Sequence, residues 1–244
     1  MLPEMRGSVA LVGAGEFQDQ MAEFDRDLLA STGRARPRVV ILPTASAPDG
    51  EAIFQGWADR GVEHFSALGA EVEPVLVRTA AEGFDAAALQ AIGESDLVYL
   101  SGGNPRHLGT VLGASPLGAA LAAANARGAI IAGCSAGAMA IVGRCMDFRA
   151  VPRLRIPLPF PIRWRPGLGL VDGVAVLPHY NAFPEPLSAC IALQAPRGGV
   201  VLGIDEDTAV VGRNGAWQVH GAGRVTVWRG RRRERFRRGE AFRI

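Results

Sequence analysis

Three short stretches of this 244-residue sequence carry side chains able to perform acyl transfer, and they run in the order serine, histidine, acid. The first is Gly133-Cys134-Ser135-Ala136-Gly137, which follows the apolar residues 130–132 and precedes more small residues. An apolar strand entering Gly-x-Ser-x-Gly and then a helix describes a nucleophile elbow. Its sharp turn exposes the central hydroxyl, and glycines let neighbouring backbone approach closely. Ser135 is therefore the candidate nucleophile. The helix opening after it directs amides with no intrahelical partner toward developing negative charge, which makes the Ala136 N–H a candidate oxyanion donor. Cys134 stands one position from the exposed apex and is expected to face the core.

The second stretch, Pro178-His179-Tyr180-Asn181, follows the apolar residues 174–177. Of the four histidines, His64 falls in an expected helix, His107 at a helix start and His220 among C-terminal strands, so His179 is the candidate general base. The third stretch, Asp205-Glu206-Asp207-Thr208, follows residues 200–204. One carboxylate there would accept the second imidazole N–H and stabilise the imidazolium, and the pattern leaves Asp205 and Glu206 both open. A fourth loop, Ser101-Gly102-Gly103-Asn104-Pro105, follows residues 97–100. Gly102 and Gly103 can turn backbone N–H groups into a cavity, and Asn104 adds an amide, so this loop is the candidate second half of an oxyanion or substrate site.

Positioning these loops requires strands that end at one edge. Residues 8–12, 38–42, 72–77, 97–100, 130–134, 174–177 and 200–204 read as short, nearly continuous apolar strands. Between them, residues 18–31, 51–68, 84–92, 106–112 and 116–127 read as helices. Strands apolar throughout and alternating with helices imply a three-layer α/β/α fold with a mostly parallel central sheet, whose ligands gather at the carboxyl ends of the strands. Gly13-Ala14-Gly15 lacks the third glycine of a dinucleotide fingerprint, Gln18 standing in its place, and reads as a tight turn.

Residues 147–169 hold five prolines and five arginines, a composition that excludes a helix or central strand. With Phe148, Phe160 and Trp164 this segment is expected to be an active-site cover, and any of its arginines can grip a carboxylate. Residues 208–244 read as antiparallel edge strands. Their arginine-rich part, 229–238, is interrupted by Glu234 and Phe236, which suits a charged edge face better than a nucleic-acid site.

Composition narrows the function classes further. A hydrophobic content of 48% over 244 residues suits one domain, 1–244, and a formal charge of +2 gives no bulk attraction to nucleic acid or membrane. All 26 basic residues are Arg, so lysine nucleophiles and Schiff bases are excluded. Three cysteines without Cys-x-x-Cys spacing suggest neither a disulfide framework nor a zinc site, and a reduced cytoplasm is expected. Residues 1–6 lack the features of a signal peptide. No metal and no organic cofactor is expected.

The order serine, histidine, acid departs from the serine, acid, histidine order of α/β-hydrolases. Together, Gly133-Cys134-Ser135-Ala136-Gly137, Ser101-Gly102-Gly103-Asn104, Pro178-His179 and Gly203-Ile204-Asp205-Glu206-Asp207-Thr208-Ala209 resemble the dipeptidase E and cyanophycinase family of serine peptidases. That resemblance implies a class I glutamine amidotransferase-like fold with serine in place of cysteine. It also implies Ser135 as nucleophile, His179 as base, Glu206 as orienting acid, and Gly103 and Ala136 as oxyanion donors. The implied substrate is a small peptide with an amide or isopeptide bond next to an acidic residue, and a homodimer is an open expectation. The competing expectation is a catalytically inactive ligand-binding or regulatory domain of the same fold.

Overall fold

Segments that are apolar at every position bury both faces, and such segments build the first of two sheets in the computed structural model, which describes residues 7–146 and 162–244. Strands β1 (Val9–Val12), β2 (Arg38–Leu42), β3 (Glu71–Pro74), β4 (Leu97–Leu100) and β5 (Ile130–Cys134) lie parallel in the order β1-β5-β4-β2-β3. β3 is the edge, and its exposed glutamates and terminal Pro74 suit that place. The crossovers carry the helices α1 (Ala22–Ala30), α2 (Glu51–Ala67), α3 (Ala86–Glu94), α4 (Pro105–Gly113) and α5 (Leu117–Arg127).

After β5 the chain makes a six-residue helix, α6 (Ala136–Ile141), with every residue buried, and passes directly into a second sheet. That sheet contains β6 (Val142–Met146), β7 (Trp164–Pro166), β8 (Val171–Leu177) and β9 (Val200–Ile204), with helix α7 (Glu185–Leu193) between β8 and β9. β6, β8 and β9 are parallel, and β7 pairs antiparallel with β6 at the edge. The remaining strands are β10 (Thr208–Arg213), β11 (Ala216–Gly221), β12 (Arg224–Arg229), β13 (Arg232–Arg237) and β14 (Ala241–Arg243). β10, β11 and β14 extend the first sheet beyond β1, while β12 and β13 extend the second beyond β9, all by antiparallel pairing.

The expected mixed fold, with parallel strands and antiparallel edge strands, is thus present, but it is divided between an eight-stranded and a six-stranded sheet. β6, absent from the sequence reading, is what starts the second sheet. α6 packs against β5 and β1 on one side and β6 and β8 on the other. Backbone meets backbone where it does so: a Cβ on Gly133 would stand 2.5 Å from the Gly137 carbonyl carbon, and one on Gly137 2.3 Å from the Leu100 oxygen. Only hydrogen fits at either position.

Residues 147–161 of the expected cover, with Arg149, Arg153 and Arg155, lie outside the described residues. Its described end is tied down: Ile162 N–H donates to Gln194 Oε1 at 2.9 Å and Trp164 Nε1–H to the Gln194 carbonyl at 2.9 Å. No single helix among the described residues is long and apolar enough to cross a membrane.

Candidate active site

The nucleophile strand and its helix impose an uncommon backbone on the residue between them. Ser135 has φ 49° and ψ −107°, and its N–H donates to the Val12 carbonyl of β1 at 3.0 Å. A non-glycine residue held there costs on the order of 1–3 kcal/mol, which the buried surroundings on both sides offset. The strained turn lifts Oγ to the strand ends, 3.0 Å from His179 Nε2. His179, at the end of β8, is also left-handed, at φ 51° and ψ 38°. Its Nδ1 lies 2.9 Å from Glu206 Oε1. A carboxylate only accepts, so Nδ1 carries the proton and Nε2 offers its lone pair to Ser135.

Neighbouring side chains hold the histidine and the acid. Glu206 N–H donates to Asn181 Oδ1 at 2.8 Å, which fastens the acid loop to the histidine loop. Tyr180, next to His179, is buried, and its hydroxyl accepts from Trp228 Nε1–H at 3.0 Å. Asp205, the other carboxylate left open by the sequence, turns away. It accepts from the Arg224 N–H at 3.0 Å, and burial pushes its carboxyl up against the opposing influence of Arg224. His179 and Glu206 are 39% and 44% exposed, so their pairing is reached from solvent and is screened there.

Two cavities of about 470 Å³ each meet over this line and share Gly103, Ser135 and His179. One continues past Asn104, Arg106, Asp49 and Phe183. The other continues past Glu16, Trp57, Glu206 and Asp207. Ala136, as the first residue of α6, has an N–H with no intrahelical partner. In the glycine loop Asn104 N–H donates to the Ala45 carbonyl at 2.7 Å, and the Gly103 N–H has no partner among the described residues. Gly103, lining both cavities, and Ala136, next in sequence to Ser135, are thus the candidate oxyanion amides.

Gly102, expected to share that role, lines one of the two cavities. Its N–H is already engaged, donating to Glu16 Oε1 at 2.9 Å. Asn104 lines the cavity while its Oδ1 caps α4 by accepting from His107 N–H at 3.0 Å. Cys134 is fully buried, and its thiol donates to Glu16 Oε2 at 2.8 Å. Burial and then the Glu16 charge push that thiol well above the usual cysteine range, so it is held as a thiol rather than a nucleophilic thiolate. Glu16 and Asn181 took no role in the sequence reading. Glu16 ends the glycine turn that follows β1, the parallel neighbour of β5, and its place near a strand's carboxyl end was the available signal.

A mixed α/β chain with serine, histidine and carboxylate in hydrogen-bonding sequence at converging loops defines a narrow structural class, and comparison with known proteins falls within it. The sequence matches peptidase family S51 over residues 9–220, and the chain belongs to that family. The dipeptidase E and cyanophycinase resemblance is thereby borne out, and the chain is a hydrolase of the peptidase class. It is similar to a cyanophycinase of Trichormus variabilis (31% identical; 90% of this chain, 72% of the relative) and to one of Synechococcus elongatus (27%; 91% and 68%). Among solved structures it resembles a peptidase from an acI-B1 Actinobacterium, with a TM-score of 0.84 and 28% identity over 100% of this chain and 99% of the other. A putative peptidase E protein of Listeria monocytogenes EGD-e shares the fold at a TM-score of 0.65 and 19% identity, over 89% and 99% of the two chains.

Proposed function

We propose that this chain is a serine-nucleophile peptidase that cleaves a peptide or isopeptide bond next to an acidic residue, of the aspartyl dipeptide or β-aspartyl type, through an acyl-enzyme. The observation that carries the reading is the continuous sequence Ser135 Oγ to His179 Nε2 at 3.0 Å and His179 Nδ1 to Glu206 Oε1 at 2.9 Å. His179 takes the Ser135 proton, Oγ attacks the scissile carbonyl, and the oxyanion rests on the Gly103 and Ala136 amides. The imidazolium, steadied by Glu206, then protonates the leaving amine. Water enters, His179 takes its proton, and the acyl-enzyme is hydrolysed.

The kinship with proteins named cyanophycinase and peptidase E supports a bond beside an acidic residue, and Arg106 in one cavity supplies a cation for a carboxylate. A fluorophosphonate probe and a panel of Asp-X and β-Asp-X dipeptides test the reading. Wild type should label and cleave at least one member, and Ser135→Ala should do neither. Equal labelling of both proteins, or a wild type that neither labels nor cleaves, overturns it in favour of an inactive ligand-binding domain.

A further inference from the structure

Glu16 is a buried carboxylate that the chemistry above does not use, yet it touches both halves of the proposed site. Its Oε2 accepts from the Cys134 thiol at 2.8 Å, one residue before the nucleophile, and its Oε1 accepts from Gly102 N–H at 2.9 Å, one residue before the amide of Gly103. A Cβ placed on Gly102 would stand 2.7 Å from Glu16 Oε1 and 3.5 Å from Ser135 Cβ, so strand end, glycine loop and carboxylate occupy one tight junction. A negative charge beside a forming oxyanion opposes it, so the charge of Glu16 has no catalytic use at this place. Its reach has one.

We propose that Glu16 is a positioning residue that straps the glycine loop to the nucleophile strand, fixing the Gly103 amide where the oxyanion forms. The proposal rests on Ser135 being the nucleophile. Tying down the preceding peptide through Gly102 N–H sets the direction of the Gly103 N–H. Without the strap this amide is free to drift, and a misplacement of roughly 1 Å at a reacting centre costs about 100-fold in rate.

The test separates reach from charge by fluorophosphonate labelling, in which the Oγ–P bond forms, fluoride leaves, His179 takes the Ser135 proton and the phosphoryl oxygen enters the same cradle. Glu16→Gln keeps the length and one acceptor oxygen for Gly102 N–H but loses the charge. Glu16→Asp keeps the charge but falls short by about one C–C bond, roughly 1.5 Å. The expected kinact is within about 5-fold of wild type for the Gln variant and about 30-fold lower for Asp and for Glu16→Ala, with KI within about 3-fold throughout and the shape of the pH profile unchanged. Circular dichroism checks folding, and the Gln and Asp variants decide the matter if Ala does not fold. An Asp variant faster than Gln, a loss confined to KI, or all variants equal to a labelling wild type overturns the strap alone. A wild type that never labels overturns the nucleophile and the strap together.

Discussion

Replacing Gly103 with alanine tests the oxyanion cradle most directly, because two independent features of the backbone forbid a side chain there. Gly103 sits at φ +138°, a conformation L residues rarely adopt, and its new Cβ would stand 2.5 Å from the Ala45 carbonyl carbon and oxygen. Ordinary contact begins near 3.4 Å, so the two backbones must separate by about 0.9 Å. The Ala45 segment is itself pinned, since the Ala45 carbonyl accepts from Asn104 N–H at 2.7 Å, so the glycine loop must take much of the shift. An amide displaced on that scale contributes little to oxyanion binding. Loss of one such donor typically lowers turnover by about 10²–10³, or about 2.7–4 kcal/mol of barrier. The strained φ adds roughly 1–3 kcal/mol of folding cost, which for a chain of this size lowers the melting temperature by several degrees without unfolding the protein at 25 °C. Labelling kinetics at Ser135, with thermal melting alongside, give both quantities. A folded Gly103→Ala protein that labels at the wild-type rate refutes the cradle.

Three further outcomes follow from the same geometry. Glu206→Gln offers an amide N–H to His179 Nδ1, favours the wrong tautomer and should slow labelling by about 10³-fold, whereas a loss under 10-fold would remove Glu206 from its orienting role. Cys134→Ala removes the strand end of the Glu16 strap and should slow labelling by up to about 30-fold, yet mass spectrometry should still place the label on Ser135; complete loss of the label would make Cys134 the nucleophile. Asp25 is buried with Oδ2 2.8 Å from His64 Nε2 and no partner for Oδ1 among the described residues, and burial raises its carboxyl despite His64. A raised acid binds its proton more tightly in the folded chain, so its contribution to stability is full below the ordinary value of 3.8 and is lost as pH rises through the raised one. Asp25→Asn should therefore gain in melting temperature over wild type as pH rises above about 4, and a gap that does not widen argues against it.

Ser135 and His179 were legible because each follows an apolar run, and a polar residue at that point has only the strand-end crevice to enter. The glycine loop was legible as a place but not in its detail. Nothing local distinguishes Gly102 from Gly103, whereas the fold does so by supplying Glu16 from 86 positions away. Asp205 and Glu206 were inseparable for the same reason. Their roles divide only because Arg224, on a strand formed later in the chain, engages the first. The second sheet stayed hidden because α6 has only six residues and the strand after it, with Gly143 and Arg144, has no continuous apolar run to announce it.

The division into two sheets has a mechanical consequence. Ser135 hangs from the eight-stranded sheet and His179 from the six-stranded one, while Glu206 sits in the connection where the chain crosses back from β9 to β10. The 3.0 Å contact between hydroxyl and imidazole is therefore a gauge of the spacing between two independently hydrogen-bonded slabs, with α6 as the shim. Ala138 and Ala140, fully buried in that shim, set its thickness. Turnover in such a molecule is governed partly by residue volumes in the core, so variation far from the substrate can tune the rate while leaving every reacting group in place.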